Sequence, residues 1–71
     1  MVDMTPVASS NVAQIGYDEE AKELYVEFHN GSTYKYLDVP PAKYDSLKHA
    51  PSVGSYLNKQ IKNVFACEKV A

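Results

Sequence analysis

Apolar and polar residues alternate from Leu24 to Phe28 and again from Thr33 to Tyr36, with His29-Asn30-Gly31-Ser32 between them. A period of two on both sides of an Asn-Gly pair predicts two antiparallel strands joined by a tight turn. A two-residue loop would pair His29 with Ser32 and bring Lys35 beside Val26 on the apolar face. A three-residue loop, with Gly31 left-handed and a bulge, pairs Phe28 with Ser32 instead. Leu24, Val26, Phe28, Tyr34 and Tyr36 then share one face, and Tyr25, Glu27, Thr33 and Lys35 share the other. A one-residue slip carries every side chain across the sheet, so the cleaner segregation favours the bulged loop.

Upstream, Val12 to Tyr17 is expected as a first strand, with Ala13, Ile15 and Tyr17 on one face, and Asp18–Lys22 as a turn. Pro40-Pro41 ends the third strand, because proline lacks the donor a ladder needs but suits a first helical turn. A short helix from about Pro41 to Ala50 turns Tyr44 and Leu47 inward, and Pro51 stops it. Ser52 is the expected N-cap of a second helix whose inner stripe runs Val53, Leu57, Ile61 and Val64. Val64–Val70 is compatible with a fourth, edge strand. The fold class is therefore α+β: a three-stranded antiparallel meander, optionally with a C-terminal fourth strand, packed against two short helices. Residues 1–8 show no period and are expected as a flexible arm on a single domain spanning residues 9–71.

Composition narrows the setting. Seventy-one residues supply one small core, and Cys67 is the single cysteine, so no disulfide can staple it within the chain. Homo-oligomerisation is the remaining way to bury more surface, and a homo-oligomer is expected. The lone thiol suits a reducing, cytoplasmic setting, and neither a signal peptide nor a membrane span is evident. The net charge of −2 is unevenly spread. Residues 1–42 hold two lysines against seven carboxylates, whereas residues 43–71 hold five lysines against two. An anion belongs on the second half. All cations are lysines, so the bidentate forks of arginine are missing.

One ordered set of landmarks goes beyond periodicity. It begins with Ser9-Ser10-Asn11, Ile15-Gly16-Tyr17-Asp18, Leu24-x-Val26-x-Phe28 and Asn30-Gly31. Tyr34-Lys35-Tyr36, Val39-Pro40, Tyr44 and Ser52-x-Gly54-x-Tyr56-x-Asn58-x-x-Ile61 follow. The chain resembles the KTSC domain from about Ser9 to Phe65, a module named for its place at the C-terminus of some lysyl-tRNA synthetases. The resemblance implies that stand-alone relatives occur in bacteria and phages, and it brings a suggested role in RNA binding. Where the family usually carries arginines and a tyrosine-rich end, this chain has Lys59-Gln60-Ile61-Lys62-Asn63-Val64-Phe65, which weakens the RNA reading.

Candidate sites follow from the same layout. Ser52 and Gly54 open the second helix with free backbone donors. Asn58, Lys59 and Lys62 lie about a turn or two on, a set suited to an anion such as phosphate. An ordinary N-cap beside a solvated lysine face is the plainer account. Tyr34 and Tyr36 could stack bases, as many sheets do, but the pattern places them with the core. Tyr25 faces outward and, with Tyr56 bordering the helix stripe, is a candidate surface aromatic. Ser9, Ser10 and Asn11 could edge a polar pocket, or simply cap turns. His29 and His49 lack ligand spacing, and no nucleophile, base and orienting acid form a set, so neither metal nor cofactor nor enzymatic activity is expected. Three function classes remain. They are a non-enzymatic module for RNA or a nucleotide-like phosphate ligand, an oligomeric sponge sequestering a nucleotide signal, and a protein–protein adaptor. None calls for a membrane.

Overall fold

Five strands and two helices account for the chain in the computed structural model, which describes residues 2–71. The strands are β1 (Thr5–Pro6), β2 (Val12–Asp18), β3 (Glu23–Phe28), β4 (Thr33–Tyr36) and β5 (Cys67–Lys69). They form one antiparallel sheet in the order β1-β2-β3-β4-β5. Helix α1 (Pro41–Lys48) and helix α2 (Val53–Tyr56), which continues as a π-helical turn over Leu57–Ile61, fill the connection from β4 to β5.

The α+β class agrees with the alternation, but the sheet has two more strands than the central meander. The C-terminal strand is present as β5. The other addition, β1, arises from the region without a period. Two residues paired with Ile15 and Gln14 are too short to show alternation, and Pro6 is tolerated there because β1 lies at the sheet edge.

The hairpin takes the bulged register. Leu24 pairs with Tyr36, Val26 with Tyr34 and Glu27 with Thr33. The Phe28 N–H donates to the Ser32 carbonyl at 2.8 Å, and the Gly31 N–H donates back to Phe28 at 2.9 Å. Gly31 sits at φ +93°, where an L side chain is strained and glycine is not. The Asn30 side chain accepts the Ser32 N–H at 2.9 Å, which locks the turn from within.

Strand β2 departs from strict alternation. Val12 pairs with Phe28 and Gln14 with Glu27, leaving Ala13 as the extra residue of a bulge. The inward residues are therefore Val12, Ile15 and Tyr17 rather than Ala13, Ile15 and Tyr17, because one inserted residue swaps the face of everything before it.

One core lies between the sheet and the helices. Val12, Ile15, Leu24, Val26 and Tyr36 meet Val39, Leu47, Val53, Leu57 and Ile61. Tyr44 turns inward as expected, but its stacking partner is Tyr17, with ring centroids 5.0 Å apart. The helix stripe ends sooner than its spacing suggests, because Val64 is 60% exposed. The π-turn, in which the Lys62 N–H reaches Leu57 O at 2.8 Å, finishes the helix at Ile61. The chain then turns, and Phe65 packs on the core in place of Val64.

The opposite face of the sheet is not bare. Gly16 is buried there under the N-terminal arm, and a methyl group on it would lie 2.7 Å from the Asp3 carbonyl oxygen. Tyr25 pairs with Gly16 on this face, as its outward register implies. Its hydroxyl donates to Glu23 at 3.1 Å, and Lys35 reaches Glu23 at 3.4 Å. Partial burial and then the Glu23 carboxylate raise the Tyr25 hydroxyl above its ordinary value, and the same carboxylate raises Lys35. No helix among the described residues is long and apolar enough to cross a membrane.

Candidate functional site: a groove between the hairpin tip and the second helix

The loop before β2 and the turn after β3 are tied together. Ser9 Oγ accepts the N–H groups of Asn11 and Val12 at 3.3 and 3.2 Å, which holds Ser9–Asn11 in a tight bend. From the hairpin side, the His29 N–H donates to Asn11 O at 2.9 Å. His29 Nε2 lies 2.9 Å from Ser9 O, and a carbonyl only accepts, so Nε2 carries the proton. The imidazole is thereby oriented by its own main chain.

The same loop rests on the start of α2. A methyl group on Gly54 would lie 3.3 Å from Ser9 Oγ and 4.0 Å from Asn11 Nδ2. The close approach that glycine permits is used by this chain's own loop. Ser52 caps the helix, with its Oγ accepting the Ser55 N–H at 3.3 Å.

Between these parts runs a groove with two lobes. The first, about 450 Å³, is edged by Ser10, Asn11, His29 and Asn58. The second, about 400 Å³, is edged by Tyr34, Tyr36, Asn63 and Cys67. Phe28, Asn30 and Lys62 belong to both lobes and form their junction. The floor is aromatic: Phe28 and Tyr34 meet edge to face with centroids 5.9 Å apart, and Tyr36 is almost wholly buried. Burial, and behind it Cys67 and Tyr34, pushes the Tyr36 hydroxyl above the ordinary tyrosine value.

The structure divides the residues singled out from the sequence. Ser10, Asn11, Tyr34, Tyr36, Asn58 and Lys62 come together in the groove, with Ser9 and Gly54 bracing its wall. Ser52, Tyr56 and Lys59 lie apart, around a separate depression of about 280 Å³. There Lys43 stands 5.9 Å from the Tyr56 ring. Residues four apart share a helix face, so Asn58 goes with Lys62 while Ser55 goes with Lys59. Tyr25 lies on the other side of the sheet. Phe28, His29 and Asn30 are groove residues that a turn-based reading passes over. The signal that could have found them is the hairpin tip's proximity to Ser9–Asn11, which only the tertiary fold supplies.

The electrostatics of the groove differ from those of the chain. None of the residues lining either lobe is acidic, although the chain carries a net charge of −2. Asp3, Asp18, Glu19 and Glu20 gather instead around Tyr17 and Tyr44. Among the described residues, no group of three His, Cys, Asp or Glu side chains is placed to hold a metal ion.

Comparison with known proteins places this arrangement. Residues 8–65 match the KTSC domain. A lysine–tRNA ligase of Nostoc punctiforme is 39% identical over 62 residues, covering 87% of this chain. The matched region is only 11% of that ligase, so the resemblance concerns a small part of the larger protein. A protein of Tsukamurella paurometabola is 40% identical over 62 residues, covering 87% of this chain and 92% of its own. The crystal structure of a KTSC domain protein from Yersinia pestis superposes over the full length of both chains, with a TM-score of 0.93 and 35% identity. The chain belongs to the KTSC domain family.

Proposed function

We propose that this domain is a binding module and that its two-lobed groove takes a nucleotide-like phosphate ligand, free or within single-stranded RNA. The observation that carries the reading is a carboxylate-free groove on an acidic protein, with Lys62 at its centre and aromatic rings in its floor. Asparagine amides offer both donors and acceptors to the polar edge of a base. The rings of Phe28 and Tyr34 offer apolar surface against a base or ribose. Each lobe falls within the range of roughly 300–1,000 Å³ typical of small-ligand pockets. The relatives named lysine–tRNA ligases add a context in which a small RNA-contacting module would be useful.

A single central lysine suits one phosphate rather than a long backbone track. Binding should therefore depend weakly on salt, with a slope near −0.7 for about one neutralised phosphate on a single strand. Fluorescence anisotropy with a labelled single-stranded RNA tests the proposal. Lys62→Glu should weaken binding by about tenfold or more, the effect of losing one charge-assisted contact. Lys59→Glu, a charge change of the same size outside the groove, should leave binding nearly intact. Equal losses from both substitutions would refute the groove as the site.

A further inference from the structure

The groove's shape carries the reading further, to the length and polarity of what it holds. Its two lobes are of similar volume, about 450 and 400 Å³, and they meet at one cation. Their linings differ in the balance of polar and aromatic groups. The lobe beside the Ser9–Asn11 loop presents Ser10, Asn11, His29 and Asn58, all hydrogen-bonding side chains. The lobe beside β5 presents the Tyr34 ring with Asn63 and Cys67 at its edge, over a floor in which Tyr36 is almost wholly buried. Only Phe28, Asn30 and Lys62 face both.

Resting on the nucleotide reading above, we infer that the groove is built for one dinucleotide step of single-stranded RNA. The bridging phosphodiester lies at Lys62, one base enters the polar lobe and the other enters the aromatic lobe. A phosphodiester links two nucleosides through one negative charge, which matches two lobes sharing one ammonium group. Hydrogen-bonding side chains discriminate bases by the donors and acceptors on their edges, whereas aromatic surface accepts any base face. The polar lobe therefore selects a base and the aromatic lobe tolerates all four. The His29 ring is held by its Nε2–H to Ser9 O, which fixes its place at the edge of the polar lobe.

Isothermal titration of the whole protein with uridine monophosphate, the dinucleotide uridylyl-uridine and longer uridine oligomers tests the length. A parallel series of dinucleotides varied at one position at a time tests the lobes. Affinity should rise by about tenfold or more from mononucleotide to dinucleotide, then stay flat per binding register as the strand grows. Base changes at one end of the dinucleotide should alter affinity several-fold, and changes at the other end should not. Lys62→Gln should weaken the mononucleotide and the dinucleotide alike, because each carries a phosphate, while Asn58→Ala should flatten base preference and leave the gain from one nucleotide to two. Both residues are exposed, so each variant should stay folded, which circular dichroism checks.

A mononucleotide that binds as tightly as the dinucleotide would overturn the two-lobe inference while leaving the groove as a nucleotide site. Per-register affinity that keeps rising with strand length would overturn it in favour of a longer track. Failure of every nucleotide to bind would overturn both this inference and the reading beneath it.

Discussion

Gly16 offers a direct test of how the arm and the sheet support one another. A methyl group at this position would lie 2.7 Å from the Asp3 carbonyl oxygen and the Met4 sulfur, and 2.8 Å from Val2 Cγ2. The two side-chain atoms can swing away, but the carbonyl is backbone and must move with the arm. Forcing an extra methyl into such a contact costs roughly 1–3 kcal/mol. Against this, Gly→Ala where the backbone is compatible gains about 0.4–1 kcal/mol from the unfolded state. Gly31, not Gly16, is the glycine with positive φ, so alanine at Gly16 meets no conformational strain. Gly16→Ala in the full chain should therefore lose about 1–2 kcal/mol net. In a chain shortened to begin at Thr5 the clash is gone, and the same substitution should gain about 0.4–1 kcal/mol. Urea denaturation followed by circular dichroism reads both. In a domain of this size, 1 kcal/mol moves the thermal midpoint by roughly 4–8 °C. An unchanged sign in the two backgrounds would refute the packing of the arm over Gly16.

Other consequences follow from the core, the turn and the buried tyrosines. Ile61 is fully buried, so Ile61→Ala should cost about 2–5 kcal/mol, while Val64→Ala should fall within about 0.5 kcal/mol of neutral. Equal effects in chemical denaturation would mean that the π-turn does not end the stripe. Gly31→Ala should lose about 1–2 kcal/mol although its new methyl meets nothing, because the cost is backbone strain at φ +93°. A neutral result by the same assay would contradict the bulged loop. Burial raises the hydroxyls of Tyr17, Tyr36 and Tyr44, so the folded state favours their protonated forms. The stability this contributes is complete below the ordinary value near 10 and is lost as pH rises through the higher folded values. Alkaline titration by phenolate absorbance should show Tyr36→Phe removing a late-titrating group. A single unshifted tyrosine transition in the wild type would count against it.

The hairpin was legible because both faces of the sheet are demanding. One is core and the other carries Tyr25, Glu23 and Lys35, so only the bulged register satisfies both. The helix stripe was legible up to Ile61 for the same reason. What escaped were single-residue events. The bulge at Ala13 swaps which residues face the core, and the π-turn cuts the stripe one position early. β1 escaped because two residues cannot display a period. In the groove, Asn58 and Lys62 were legible only as members of the helix-start set, which also drew in Ser52 and Lys59. Those two face elsewhere, and the hairpin tip supplies the opposite wall. Secondary structure lies in the local pattern. The groove lies in which loops the sheet brings together.

The central claim is that ligand binding belongs to the groove and not to the lysine face or the outer sheet. Titrating ¹⁵N-labelled protein with uridylyl-uridine, and following backbone amide shifts by NMR, tests it most directly. The account predicts perturbations centred on Asn11, Asn30, Asn58 and Lys62, with Ser55, Lys59 and Tyr25 unmoved. Shifts centred on Ser55 and Lys59, or on Tyr25 and its neighbours, or absent altogether, would contradict it.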